Sequence, residues 1–378
     1  MLVLEVSMKR VLRKGVGSLL TWSIFSLILL AACYPPSASP ATQQPMTSAP
    51  SAAVPSASSP SAQKTPGALT KVTLAMGYIP SVQFAPFYVA QERGYFRDAG
   101  LSVTFRYGME SDLLKLVGTN ELQFMIGSGE EVILGRSQEL PVRYVMRWYR
   151  HFPVVLFAEA DKGIRAPLTA ADLVGKKIGV PGLYGASYVG WEAIVYATGL
   201  NPEQVTLQSI GFTQASAVSE NQVDAAMDYV VNGPVQLRLA GQEVTVIPVS
   251  DLIDLPSNGI ITNDQTIKEH PELVRALVSA AMHGLQDTLA DPNAAFDISL
   301  KAVPEAGGQQ ATVSRAIFDE SLRLWEVSEA ESRAPGGAEL GQSDPATWKT
   351  AADFMKAMGL IQNDVQVEDL YTNEFVSP

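Results

Sequence analysis

The first strand-like hydrophobic run after a polar leader is Val72-Thr-Leu-Ala-Met76. A loop holding Gly77, Pro80, Ser81 and Gln83 follows it. An apolar helical segment then runs from about Pro86 to Gln91 and stops at Gly94, before a second strand at Leu101–Phe105. Strand, loop, helix and strand within about thirty residues make a βαβ unit, the seed of a parallel sheet. The alternation persists with a helix over 111–117, a strand over 122–126, a helix over 130–137 and strands over 142–147 and 154–158. After the loop 161–167 a second series opens with 173–182. Helices over 187–198, 214–221 and 234–240 then alternate with strands over 205–208, 225–229 and 244–248. The segment 255–263 reads as the chain crossing back, and from Asp264 onward the pattern is helical: 271–289, 294–302, 312–327 and 345–358.

Two alternating series predict an α/β fold of two lobes, each a mainly parallel sheet flanked by helices, with a C-terminal helical extension. Lobe 1 is expected over residues 71–158 plus 258–378 and lobe 2 over 159–257. Crossings near Ala158 and Leu255 would serve as a hinge. In such sheets ligands bind outside the carboxyl ends of the strands, so the loops there are where chemistry should be sought.

The ends of the chain carry a different message. Lys9, Arg10, Arg13 and Lys14 precede an apolar run, Leu19–Ala32, of roughly fourteen residues, the length of a signal h-region and short for a membrane span. The run ends Leu30-Ala31-Ala32-Cys33, which resembles a bacterial lipobox, so residues 1–32 are expected to be a signal peptide and Cys33 the lipidated residue. Cys33 is the only cysteine, which excludes an internal disulfide. Residues 33–70, rich in Pro, Ser, Ala and Thr, cannot bury enough apolar surface to offset their ordering entropy and read as a disordered tether. The net charge of −12 with no basic block argues against nucleic acid as a partner.

Several loops at the presumed carboxyl edges hold candidate ligand contacts. Tyr78 and Phe84 flank the first loop with Gln83 between them; the two rings suit a planar ligand, or simply the core. Ser128 and Glu130 sit in Gly127-Ser-Gly-Glu-Glu131 at a strand-to-helix junction, where they can meet a ligand or only cap the helix. Tyr149, in Arg147-Trp-Tyr-Arg-His151, is a stacking candidate, whereas Trp148 is expected to pack inside. Tyr184 and Ser187 belong to a glycine-rich loop whose spacing is neither a dinucleotide fingerprint nor a P-loop. Asp228, Tyr229 and Asn232 end a strand, Asp228 as an acceptor for hydroxyls or ring N–H groups and Asn232 as a contact or a helix cap. Three histidines are too few for a histidine metal cluster.

The first βαβ tract reads Gly77-Tyr-Ile-Pro80, Pro86-Phe-Tyr-Val-Ala90, Gly94-Tyr-Phe96 and Gly100-Leu-Ser-Val103. This pattern resembles the thiamine-pyrimidine-synthase-like group of ABC-importer solute-binding proteins, over about residues 70–300. Within that group it is most similar to riboflavin-binding lipoproteins. The resemblance implies a type II periplasmic-binding-protein fold, a monomer closing two lobes on a small flat heteroaromatic, a membrane permease as partner, and no cofactor. Riboflavin is then cargo, and a thiamine-type pyrimidine is the second choice. The enzymes of the group carry a histidine where this chain has Phe84, and a cysteine cluster that one cysteine cannot supply. The resemblance therefore implies binding and not catalysis, with an extracellular sensor domain as a further alternative.

Overall fold

A computed structural model describes residues 68–326 and 339–376. The expected signal peptide, the lipidated Cys33 and nearly all of the expected tether lie outside the described residues. So does Val327, the last residue of the helix expected over 312–327.

In chain order the elements begin β1 (Thr70–Met76), α1 (Ala85–Glu92), α2 (Tyr95–Asp98), β2 (Leu101–Tyr107), α3 (Glu110–Gly118), β3 (Phe124–Ser128), α4 (Gly129–Ser137), β4 (Val142–Arg147) and β5 (Val154–Glu159). They continue α5 (Ala170–Leu173), β6 (Lys177–Val180), α6 (Gly185–Thr198), β7 (Thr206–Ser209), α7 (Gln214–Ser219), β8 (Ala225–Tyr229), α8 (Gly233–Leu239), β9 (Val244–Pro248) and β10 (Asn258–Asn263). The chain then turns helical: α9 (Asp264–Glu269), α10 (Pro271–Ala290), α11 (Pro292–Ala302), α12 (Ala311–Trp325), α13 (Pro345–Ala357) and α14 (Val367–Leu370).

Two five-stranded sheets result, ordered β2-β1-β3-β10-β4 and β7-β6-β8-β5-β9. β1 lies parallel to both β2 and β3, and β6 parallel to both β7 and β8. One antiparallel strand is inserted in each sheet, β10 between β3 and β4 and β5 between β8 and β9. Strands covered on both faces read as continuous apolar runs, as β3 and β5 do, because helices pack on either side.

Two boundaries differ from the sequence expectation. Val154–Glu159 pairs with β8 and β9, so it belongs to the second sheet, and the first crossing is the stretch 148–153 rather than Ala158. The second half of the segment expected to be a return crossing is β10, a fully buried central strand. Its polar ends are tolerated because they are satisfied. Thr262 Oγ1 donates to the Gln123 carbonyl at 2.7 Å, and Asn263 Nδ2 donates to the Val117 carbonyl at 2.9 Å. Asn263 Oδ1 accepts the Thr266 N–H at 2.7 Å and so caps α9. Gly259 is required here, since a Cβ would lie 2.1 Å from the Met146 carbonyl oxygen and 2.2 Å from Tyr144 Oη.

The C-terminal extension holds both lobes. Helix α12 touches α8 of the second lobe, and on α13 Phe354 meets Tyr196 of α6 with ring centroids 5.5 Å apart. Among the described residues, no helix is long and apolar enough to cross a membrane.

Candidate ligand-binding cleft

Between the two sheets lies a cavity of about 320 Å³, within the usual size of small-molecule sites, about 300–1,000 Å³. Its walls are the loops that leave the parallel strands at their carboxyl ends: Tyr78 to Phe84 after β1, Tyr107 to Ser111 after β2, and Trp148 and Tyr149 after β4. The second lobe adds Pro181 to Ser187 after β6, Phe212 and Gln214 after β7, and Asp228, Tyr229 and Asn232 at the end of β8. Strand direction thus explains why distant sequence segments converge.

Aromatic rings form much of the wall. Phe84 is stacked on Trp148 with centroids 5.5 Å apart and planes inclined 25°, and Trp148 is stacked in turn on Trp325 at 5.9 Å and 27°. Trp148 is buried as expected, yet it also reaches the cavity. Across the cleft Tyr78 meets Phe212 edge to face at 5.7 Å, and Tyr149 meets Tyr229 at 6.5 Å and 87°. Such offset and edge geometries are the ones the ring quadrupole favours.

Hydrogen bonds also join the lobes. Gln83 Nε2 donates to Asn232 Oδ1 at 2.9 Å, while Gln83 Oε1 accepts from Tyr149 Oη at 3.3 Å. Tyr229 Oη donates to Asn258 Oδ1 at 3.0 Å, and Asn258 Nδ2 donates to Glu110 Oε1 at 3.3 Å. Asn232 makes no side-chain cap on α8, so of its two alternatives the structure leaves the cleft. Removing it should free the Gln83 amide and loosen closure. We expect Asn232→Ala to weaken ligand binding about fivefold, the equivalent of one net hydrogen bond near 1 kcal/mol, by calorimetric titration. An unchanged affinity would show that this bridge contributes nothing to the closed state.

Nine of the candidate residues, from Tyr78 to Asn232, line the cavity together; Ser128 and Glu130 do not. Ser128 donates from both its N–H (3.0 Å) and its Oγ (2.5 Å) to Glu110 Oε2, and Glu130 is fully buried at the start of α4. Asp228 does line the cavity, but its carboxylate also organises its own loop. Oδ2 accepts the Gly233 N–H at 2.9 Å and Oδ1 the Tyr229 N–H at 2.7 Å. The sequence reading passed over Tyr107, Glu110, Glu131, Phe212 and Asn258. Tyr107 ends β2 and Phe212 follows β7, the kind of position that located the others.

The electrostatics of the cleft are those of buried acids without a cation. Among the described residues no Lys, Arg or His lines it. Burial pushes the Glu131 carboxyl up to about 8, with repulsion from Glu110 adding to it and Lys115 opposing it. Burial likewise raises Glu110 to about 7 against the two Ser128 donors, and Asp228 to about 6 against its backbone donors. Glu130 is raised well above the usual carboxylate range, first by burial and then by Glu110. At neutral pH Glu131 is therefore mostly a neutral carboxylic acid that can donate as well as accept.

Residues 81–295 match the model of the family described as NMT1/THI5 like. The chain is 43% identical over 312 residues to the riboflavin-binding protein RibY of Chloroflexus aurantiacus, covering 82% of this chain and 86% of that one. The chain belongs to the NMT1/THI5-like family. More distant relatives include the formylaminopyrimidine-binding protein of Halalkalibacterium halodurans, 25% identical across 81% of this chain and 91% of the relative. Another is the 4-amino-5-hydroxymethyl-2-methylpyrimidine phosphate synthase of Aspergillus parasiticus, 24% identical across 81% and 87%. Among solved structures, the periplasmic aliphatic sulphonate-binding protein SsuA of Escherichia coli superposes with a TM-score of 0.60 at 12% identity, covering 79% of this chain and 96% of its own. The alkanesulfonate-binding SsuA of Xanthomonas axonopodis does so at 0.59 and 12%, over 81% and 99%. These likenesses show the periplasmic-binding-protein fold for this NMT1/THI5-like chain. The relative at 43% identity and both structural neighbours are binding proteins.

Proposed function

We propose that this NMT1/THI5-like protein is the extracytoplasmic solute-binding component of an ABC importer, that it captures riboflavin between its lobes, and that it delivers the vitamin to a membrane permease. The observation that carries this reading is an aromatic cleft, lined by no Lys, Arg or His among the described residues, in a chain 43% identical to a riboflavin-binding protein. Phe84 and Tyr149 line the cavity, and packing of a flat ring against such a side chain adds about 0.5–1.5 kcal/mol beyond buried area. Gln83, Asn232 and Tyr229 supply hydrogen-bond partners for ring edges and hydroxyls. Phosphorylated flavins and sulfonates are poor ligands on this reading, since Arg147 and Arg150 do not line the cavity and the acids that do offer no compensating charge. Binding without catalysis fits Phe84 standing where the synthases carry histidine, and a sole cysteine at Cys33.

Titration of the purified protein should quench riboflavin fluorescence, because stacking on aromatic rings opens a path for excited-state decay. Lack of quenching and of binding heat at micromolar protein, with tight binding of a pyrimidine instead, would replace the ligand while leaving the transport role. The reading also places a lipid on Cys33. Cys33→Ser should move the protein from the membrane fraction to the soluble one, and unchanged retention and processing would remove the anchor from the proposal.

A further inference from the structure

Among the described residues, the buried polar side chains of the cleft wall fall into two sets. Gln83, Asp228 and Asn258 are bonded within the protein. Both ends of the Gln83 amide are taken, by Asn232 and Tyr149, and the Asp228 carboxylate holds the N–H groups of Tyr229 and Gly233. Asn258 accepts from Tyr229 and donates to Glu110. These groups hold loops and lobes to one another. Glu131, Gln214 and Ser187 form the second set. They line the same cavity at 4%, 5% and 8% exposure, and no hydrogen bond or ion pair within the protein engages their side chains. Native structures pair nearly all their buried polar groups, so a carboxyl and an amide left open toward one cavity require partners inside it.

Both side chains are held in place by backbone. Glu131 is the third residue of α4, whose first N–H, that of Gly129, donates to the Ser257 carbonyl at 3.1 Å. Gln214 is the first residue of α7. The loop before it is tied to the loop after β6, the Ile210 N–H donating to the Val180 carbonyl at 2.9 Å and the Gly211 N–H to the Pro181 carbonyl at 3.1 Å. Thr213 Oγ1 closes the turn on the Ile210 carbonyl at 2.6 Å. The first lobe thus presents Glu131 and the second presents Gln214.

We infer that Glu131 and Gln214 are specificity-determining contacts of the cleft, one from each lobe, and that they select a neutral ligand carrying both hydrogen-bond donors and carbonyl or hydroxyl acceptors. This rests on the flavin reading and deepens it by naming the side chains that recognise the ligand. Riboflavin offers an imide N–H between two carbonyls, together with the ribityl hydroxyls. An amide donates and accepts, and so does Glu131, because burial and the neighbouring Glu110 push its carboxyl up to about 8. An apolar solute of the same size would leave both groups unpaired, and an anion would meet no Lys, Arg or His among the described residues that line the cavity.

The test separates ligand contacts from structural ones. Riboflavin affinity is measured by fluorescence quenching at pH 7 for the wild type, Glu131→Met, Gln214→Met and Glu131→Gln, and the ligand-free proteins are unfolded in urea. Methionine keeps the length of each side chain and removes its hydrogen bonds. Each methionine variant should bind more than about tenfold more weakly, whereas Glu131→Gln, which keeps a donor and an acceptor, should stay within about threefold of the wild type. The urea midpoints of the methionine variants should not fall, since neither side chain has a protein partner to lose. Weakened binding with undiminished stability supports the assignment. Affinities within threefold of the wild type in both methionine variants overturn it while riboflavin binding stands, and a loss of affinity that comes with a lowered midpoint overturns it by returning the two residues to the fold. Absence of riboflavin binding by the wild type overturns the functional reading and this assignment with it.

Discussion

Replacing Trp148 by alanine is expected to lower the folding stability by about 3–5 kcal/mol, the range for deleting a buried tryptophan. The size follows from its position where the chain leaves the first sheet for the second. Its indole is sandwiched at small interplanar angles between Phe84 and Trp325, and it meets Phe87 edge on at 5.2 Å and Tyr149 at 4.5 Å. Deletion would leave a void among rings from the first loop, the crossing and α12 that cannot collapse without moving the crossing itself. The backbone N–H of Trp148 also donates to the Asn258 carbonyl, so the residue ties the crossing to the strand beside it. Phe84 would lose its backing and the cleft its flat wall, so ligand affinity should fall even under conditions where the variant folds. Trp148→Phe keeps part of the stack and should cost less than half as much. Urea unfolding of the three proteins gives the comparison, and a loss below about 1 kcal/mol for the alanine variant would mean that the stack is not a supporting column.

Trp148 also shows where sequence reading reached and where it stopped. Its burial was legible from the neighbouring apolar run. Its second role was not, because a side chain can belong to the core and to a wall at once, and periodicity reports only the first. The alternation of strands and helices carried the two-lobed α/β architecture, since every buried parallel strand reads as an apolar run bounded by turn residues. The inserted strands escaped for separate reasons. β5 looks like any other apolar run, and nothing within Val154–Glu159 says which sheet it joins. β10 carries Asn258, Gly259, Thr262 and Asn263 in six residues, a composition typical of a loop. It is a central strand because Val117, Gln123 and Thr266 satisfy its polar ends, partners that exist only after folding. For the cleft, the carboxyl-edge rule located nine lining residues. It was not applied to the ends of β2 and β7, so Tyr107 and Phe212 were passed over. Ser128 and Glu130 obey the same rule, yet Ser128 is occupied by Glu110, a residue eighteen positions earlier in the chain.

The ligand-free protein is expected to lose stability as pH rises from about 5 to about 8, the reverse of the usual response of paired carboxylates. Glu131 is raised from an ordinary 4.5 to about 8 and Glu110 to about 7, while Asp228 rises from 3.8 to about 6. Between the unfolded and folded values the native state holds protons that the unfolded chain has released. Stability from these groups is therefore fully present below the unfolded values and is lost as pH climbs through the folded ones. One pKa unit corresponds to about 1.4 kcal/mol, so the three groups together should lose on the order of 7 kcal/mol across the window, about half of it from Glu131. Glu131 stands between Glu110, which repels its charge, and Lys115, which offsets part of that repulsion. Glu131→Gln removes the charge while keeping a donor and an acceptor in place. It should leave stability at pH 5 nearly unchanged and raise it at pH 8 by about 3–4 kcal/mol, since one amide cannot ionise and Glu110 loses a repulsive neighbour. Denaturant titrations of both proteins at pH 5, 6.5 and 8 measure the slope directly. A wild-type profile that is flat or rising over this range would falsify the assignment of buried, proton-holding acids to the cleft. A slope that persists undiminished in the glutamine variant would instead move its origin from Glu131 to the deeper Glu130, whose carboxyl is also raised by burial and by Glu110.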